Sequence, residues 1–284
     1  MSAPYLFIGV VSHEGSRYST SQGPSGLAAQ LATSLSGLGV VAEVAIDTSN
    51  RLDTSVEPVT SVDVQDALSA QVRLEDEWNV YLSGSRLSGL RAAGDSTLRW
   101  GRRLWRKFAP PSTSMVERLL NIEMAHVALW AQGLSSGAPW ILILEDDASA
   151  DDLVDLSIGL VELLNGSPDG VQFINVSESF DVSKLGINHL LSATDIDWAG
   201  SVTRRVVSAS RPVTNTVCAI VYRASFVAEL LREFSSMPMR PVVPIDWKLN
   251  KALMSMNASG ALGADSCWWV VPGPIDQLSM RGDS

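Results

Sequence analysis

Nine residues near the middle of the chain, Trp140-Ile141-Leu142-Ile143-Leu144-Glu145-Asp146-Asp147-Ala148, join five consecutive apolar side chains to three consecutive carboxylates. An apolar run this short, entered through Gly137 and Pro139, predicts a strand buried on both faces. Open parallel sheets bind ligands beyond the carboxyl ends of their strands, which is where the three acids emerge. Carboxylates this close repel one another, and a divalent cation is the usual compensation. If the strand continues, Glu145 and Asp147 lie on one side and share one ion. Hard oxygen ligands favour Mg²⁺ or Mn²⁺, either of which can bridge the two phosphates of a nucleoside diphosphate. The same run would also serve as a solvated acidic loop before the next helix, since Asp151 and Asp152 follow. Taken alone it also fits phosphatases and nucleotidyltransferases.

The rest of the chain reads as alternating strands and helices. Tyr5 to Val11 is a short apolar run, Gly26 to Leu38 carries helical spacing up to Gly39, and Val40 to Ile46 reads as a second buried strand ending at Asp47. Strand, helix and strand in that order predict a parallel βαβ unit. Leu52 to Ser114 shows no clear strand alternation. Helices are expected at Met115 to Leu134, Asp151 to Leu164, Ala224 to Phe234 and about Asp246 to Met256. Strands are expected at Val171 to Val176, Val217 to Tyr222 and Cys267 to Val271, with a loop-like tail after Pro272. The expectation is one α/β domain over 1–284, with a nucleotide-binding βαβ unit at 1–50, a variable basic insertion at 51–114, and the metal site and acceptor half at 115–284.

Composition removes several functions. With 46 % hydrophobic and 18 % charged residues, the 284-residue chain carries ample material for a core. A formal net charge of -10 repels nucleic acid and anionic lipid as a whole, and no nucleic-acid partner is expected. Arg far outnumbers Lys, which fits a high-GC bacterial genome. Cys218 and Cys267 lack zinc-site spacing and read as reduced core residues. Met1 to Gly9 lacks the charge and apolar length of a signal peptide, and no run approaches the roughly 20 apolar residues of a membrane span. A soluble, cytoplasmic protein is expected. The exception to the acidic balance is 86–108, where Arg86, Arg91, Arg99, Arg102, Arg103, Arg106 and Lys107 alternate with Trp100, Trp105 and Phe108. Such a stretch could seat the chain on the inner face of a membrane, bind a phosphorylated or lipid-linked acceptor, or pair with the protein's own acids.

Several segments in order resemble glycosyltransferase family 25, the bacterial lipopolysaccharide and procollagen galactosyltransferase family. They are the helix Asn121-Ile122-Glu123-Met124-Ala125-His126-Val127-Ala128-Leu129-Trp130, the strand Leu142-Ile143-Leu144-Glu145-Asp146-Asp147, Asn215 to Tyr222 entering Ala224 to Leu231, Pro244-Ile245-Asp246-Trp247, and Pro272-Gly273-Pro274-Ile275-Asp276-Gln277. The likeness covers about Arg118 to Ser279. It departs from the family at Ala125, where Ser is usual before the His, and after the first strand, where Gly9-Val10-Val11-Ser12-His13-Glu14-Gly15-Ser16-Arg17 replaces an Asn-Leu and Arg-rich turn. The resemblance implies a GT-A fold: a Rossmann-like α/β domain with a mixed, mostly parallel central sheet. It also implies a metal-dependent, inverting hexosyltransferase that uses a nucleotide sugar, expected to be a UDP-sugar, with a glycan, lipid-linked or small-molecule hydroxyl as acceptor. Glu145 and Asp147 would hold Mn²⁺ or Mg²⁺, and Asp146 would orient the donor. Asp246 would be the catalytic base, or else an N-cap of the helix that follows. Ser12, Arg17 and Asp47 are candidate donor contacts, each also readable as an ordinary loop residue. His126 is a donor-site candidate or a hydrogen-bonded core histidine. His13, His189, Asp276 and Gln277 are candidates for a third metal ligand. Alternatives to transfer are a lapsed nucleotide-sugar-binding protein and a metal-dependent phosphoester hydrolase.

Overall fold

A computed structural model of the chain describes residues 5–12, 26–49, 53, 58–83, 112–178, 187–198, 204–214 and 216–280. In chain order its elements are β1 (Tyr5–Val11), α1 (Leu27–Gly37), β2 (Val41–Asp47), α2 (Ser61–Ser83), α3 (Thr113–Ser136), β3 (Trp140–Glu145), β4 (Ala148–Ser149), α4 (Leu153–Gly166), β5 (Phe173–Asn175), β6 (Leu191–Asp197), β7 (Arg205–Ala209), β8 (Ala219–Arg223), α5 (Ala224–Ser236), α6 (Ile245–Ala258), β9 (Cys267–Val271) and β10 (Asp276–Gln277). Eight strands form one sheet in the order β2-β1-β3-β8-β5-β9-β7-β6, while β10 and β4 pair as a small ribbon beside it. No helix of the described residues is long and apolar enough to cross a membrane.

Alternation along the strands sends side chains into two cores. Phe7, Ile141, Ile143, Ile220 and Tyr222 meet α3, α5 and α6 on one face. Leu6, Ile8, Leu142, Leu144 and Val221 meet α1 and α4 on the other. The result is a three-layer α/β/α arrangement. Two glycines set how closely α3 approaches. A Cβ at Gly9 would lie 2.8 Å from Ile143 Cδ1 and 3.3 Å from Leu129 Cβ, and one at Gly133 would lie 2.9 Å from Ile141 Cδ1. The missing side chains let α3 rest directly on β1 and β3. Ser112 caps the start of α3 through the Met115 N–H at 3.2 Å, and Gly137 ends it at φ 77°.

The sheet differs from the mostly parallel expectation. Parallel pairing is confined to β1 with β2, β1 with β3, and β5 with β9. The pairs β3–β8, β8–β5, β9–β7 and β7–β6 are antiparallel. Apolar patterning reveals that a strand is buried but not which way it runs; direction follows from the connections. The second correction concerns β2, read as buried. It is the sheet's edge strand, with Val41 59 % and Ile46 45 % exposed. Within 51–114, where no strand alternation is evident, lies the long helix α2. Its buried face, Val64, Ala67, Ala70, Leu74, Trp78 and Leu82, keeps helical spacing throughout. Its first turn is closed by Asp63, whose Oδ2 accepts the N–H and hydroxyl of Thr60, each at 2.7 Å. Strands β6 and β7 were also absent from the sequence reading. The basic 86–108 stretch, Arg17 and His13 lie outside the described residues.

Candidate metal and donor site

Sheet register gathers the candidate residues at one end of the parallel half. Val11 at the end of β1 pairs with Asp47 of β2 on one side and Glu145 of β3 on the other. Ser12 follows at once, its N–H donating to the Asp47 carbonyl at 2.9 Å. The Ser12 hydroxyl donates to Asp146 Oδ2 at 3.4 Å. Asp47 is buried, and its Oδ1 accepts from the N–H of Ser49 at 2.9 Å and from the Ser49 hydroxyl. That local turn fixes the carboxylate at the strand end.

The strand stops at Glu145, and a turn through Asp146 and Asp147 leads to β4. The tail then closes over the turn. Gly273 packs so tightly on Ser177 that a Cβ would lie 2.4 Å from its carbonyl carbon. Ile275 N–H donates to the Val176 carbonyl at 3.1 Å, and Glu178 N–H donates to the Ile275 carbonyl at 2.7 Å. Thus anchored, the tail pairs β10 with β4. Gln277 Nε2 then donates to Glu145 Oε2 at 3.1 Å, and Ser279 Oγ to Asp147 Oδ2 at 2.5 Å. The segment expected as a plain loop is a clamp on the acidic motif. Asp152 is the residue that caps α4, accepting the Asp155 N–H at 2.9 Å; capping is therefore not what Glu145, Asp146 and Asp147 do.

The antiparallel course of β8 brings in a residue the sequence did not suggest. Because β8 starts where β3 ends, Cys218 lies beside Glu145, whose N–H donates to the Cys218 carbonyl at 2.8 Å. One ligand atom each from Glu145, Asp147 and Cys218 lies within 4.8 Å of the others. Among the other third-ligand candidates, Gln277 donates to Glu145 rather than facing it as an acceptor. His189 sits elsewhere, its Nε2 3.4 Å from the Leu82 carbonyl. Spacing hid Cys218, since it is separated from the acidic motif by more than 70 residues; only strand direction places it there.

The electrostatics of this end are one-sided. Burial, followed by the negative charges of Asp147, Asp246 and Asp146, pushes the Glu145 carboxyl up to about 8, with Arg118 opposing. Asp147 is only 6 % exposed, and its Oδ1 has no hydrogen-bond partner. An orphaned buried carboxylate oxygen beside a carboxyl held towards protonation is what a missing cation would leave. The donor set therefore fits a divalent metal. Asp246 stands in the first turn of α6 and belongs to the same field. Burial raises its carboxyl to about 6 despite hydrogen bonds from the Trp247 N–H and its own. It is not the N-cap, a position held by Pro244.

His126 needs a correction. It is fully buried at 0 % exposure, its ring centroid 5.8 Å from that of Trp130, and neither ring nitrogen has a partner. Solvent does not reach it, so it makes no donor contact, and it is a packed core histidine without the expected hydrogen bond. Burial drives it down to about 3, so it is neutral. One turn before it, Glu123 forms a buried ion pair with Lys248 of α6.

The fold is α/β, with a cluster of two carboxylates and a thiol gathered where β3 ends and β8 begins. Compared with known proteins, the chain matches no family model and no curated protein.

Proposed function

We propose that the chain is a metal-dependent glycosyltransferase of GT-A type that takes a hexose from a nucleotide-sugar donor, a UDP-sugar in the first instance. The observation that carries this reading is the joint presence, at one sheet end, of a partnerless Asp147 oxygen, a Glu145 carboxyl raised to about 8 and the strand-end groups Ser12 and Asp47. Glu145 and Asp147 would hold Mn²⁺ or Mg²⁺, whose charge would offset that of the leaving diphosphate. Ser12 and Asp47, at the ends of adjacent strands, bind the nucleoside, and Asp146, held by Ser12, orients the donor sugar or ribose. Asp246 takes the proton from the acceptor hydroxyl as that oxygen attacks the anomeric carbon opposite the leaving diphosphate. A carboxyl at about 6 is charged at neutral pH yet basic enough for that task. The acceptor is a glycan, lipid-linked or small-molecule hydroxyl.

Thermal unfolding with UDP-, GDP- and dTDP-sugars, with and without Mn²⁺, tests the reading, because a ligand that binds only the folded state raises Tm. A metal-dependent shift with one donor, lost in Asp147→Ala, is expected. Release of phosphate from simple esters, with no donor raising Tm, would replace it with a hydrolase.

A further inference from the structure

We propose that Cys218 is a third ligand of the cation held by Glu145 and Asp147, and that its sulfur makes the site select first-row transition-metal ions, Mn²⁺ to Zn²⁺, which accept sulfur more readily, over Mg²⁺ and Ca²⁺. The inference deepens the metal half of the function proposed above and rests on it, but not on sugar transfer. Three groups whose ligand atoms lie within 4.8 Å of one another can close on a single ion with small side-chain shifts. Asp147 supplies a buried oxygen that nothing else engages, since Ser279 occupies only Oδ2. Two carboxylates alone would suit a hard ion such as Mg²⁺, which demands oxygen in a near-ideal octahedron. Sulfur in the set moves the preference to softer ions. When the ion enters, the thiol proton leaves to water and the thiolate becomes the ligand, so binding releases a proton.

The position of the thiol is fixed by a buried polar network. Cys218 N–H donates to Thr216 Oγ1 at 3.0 Å, and Thr216 N–H donates to Thr214 Oγ1 at 3.3 Å. Thr214 Oγ1 donates to Asn175 Oδ1 of β5 at 2.8 Å. Asn250 of α6 closes the loop, accepting the Thr214 N–H at 2.9 Å and donating to the Thr214 carbonyl at 2.7 Å. A ligand held this firmly costs little to order when the ion binds. Cys267 is the internal contrast. It is equally buried, but its thiol donates to the Val213 carbonyl at 3.3 Å and burial pushes it up to about 12, whereas the Cys218 thiol lies 4.0 Å from the Asp276 carbonyl in the tail that clamps the acidic motif. It lies outside the carboxylate cluster.

The test titrates the metal-free full-length chain with Co²⁺, Mn²⁺ and Mg²⁺, following absorption for cobalt and competition for the other two. Wild type is expected to show a sulfur-to-cobalt charge-transfer band in the near ultraviolet and to bind Mn²⁺ well above Mg²⁺. Cys218→Ser should lose the band and weaken Mn²⁺ by about tenfold or more, with Mg²⁺ little changed. Asp147→Asn should weaken every ion, and metal-free Tm values identify a variant that merely misfolds. Cys267→Ser should keep the band. Cobalt bound without a sulfur band, or an unchanged Mn²⁺ to Mg²⁺ ratio in Cys218→Ser, overturns the proposal, as does failure of every ion to bind. A sulfur band with no Tm response to any nucleotide sugar sustains the metal site and removes the transferase reading. A donor response that is equal in Mg²⁺ and Mn²⁺, without the band, does the reverse.

Discussion

Two buried acidic environments, that of Glu123 on α3 and that of the cluster around Glu145, are handled in opposite ways. Glu123 on α3 faces a single partner, Lys248 on α6, and the two close an ion pair inside the protein. Burial raises the Glu123 carboxyl, and the lysine draws it back down. At the ends of β1 and β3, Glu145, Asp146, Asp147 and Asp246 share a field in which Arg118 is the opposing charge felt by Glu145. The first arrangement carries its own cation within the chain, although only Oε1 of Glu123 is engaged and Oε2 has no hydrogen-bond partner, and it ties α3 to the helix that carries Asp246. The second is left short of positive charge, so the Glu145 carboxyl is pushed towards protonation unless a ligand supplies that charge. The acid on α3 has its cation built into the chain; the acids at the strand end, on the function proposed above, take theirs from a ligand.

The largest expected effect breaks this comparison at the incomplete end. Asp147→Asn should lower donor turnover by about 10³-fold, roughly 4 kcal/mol of transition-state stabilisation, while the metal-free chain keeps or gains stability because a repulsive charge is gone. Steady-state kinetics and a metal-free thermal melt read the two halves. If the metal-free variant is instead strongly destabilised, the carboxylate is holding the fold and the contrast with Glu123 collapses.

Next in size is the complete end. Lys248→Met strands Glu123 in the interior and should cost about 3 kcal/mol, read as a lower urea midpoint with unchanged slope. Adding Glu123→Gln should restore most of that loss, because the cost is an uncompensated charge and not lost packing. A double variant no more stable than Lys248→Met would mean that the lysine stem, lying with its Nζ 5.5 Å from the Phe234 ring centroid, contributes chiefly by packing.

These two regions were unequally legible in the sequence. The run from Trp140 to Asp147 declared a buried strand, because five consecutive apolar residues between breakers leave few other uses, and it placed three acids at that strand's end while leaving a plain acidic loop as an alternative. Helix α3 was visible from its spacing, with Ser112 and Gly137 closing its ends. The Glu123–Lys248 pair was not visible, since each is an ordinary helix residue until α3 and α6 meet. Cys218 was hidden for a related reason: it reaches Glu145 because β8 runs antiparallel to β3, and strand direction has no local signature. The edge position of β2 escaped for the same cause, as a strand's apolar content does not record how many neighbours it has. The closing tail was read as a loop because its ladder is two residues long; its grip comes from backbone bonds of Ile275 and Glu178 that no residue type announces.

His126 adds a third case, a buried base with no partner at all, and its effect should be smaller and confined to acid. Its folded value of about 3 lies below the roughly 6.5 of an unfolded chain. The unfolded state therefore takes a proton that the folded state refuses as pH falls below about 6.5. Stability from this group is complete above that pH and is lost progressively down to about pH 3. At pH 5.5 the loss should be about 1.4 kcal/mol. His126→Leu should remove that slope, and subtracting its pH profile from that of wild type isolates His126 from Glu123, which lies one turn away. Parallel profiles would mean that the ring is solvated in the folded chain.

The smallest effect sharpens the comparison instead of breaking it. Gln277 donates to Glu145 as Lys248 donates to Glu123, but an amide brings no charge. It can steady the carboxylate without neutralising it, which leaves the cluster able to take a cation. Gln277→Ala should weaken Mn²⁺ by about fivefold, near 1 kcal/mol, the net worth of an ordinary hydrogen bond. Gln277→Lys should act in the opposite sense on the fold, supplying the positive charge that the cluster lacks, raising metal-free Tm and competing with the ion. Metal titrations and melts of the two variants separate steadying from neutralising. If the lysine leaves Mn²⁺ affinity untouched, the cation does not sit beside Glu145, and the division between acids completed by the chain and acids completed by a ligand has been drawn at the wrong residues.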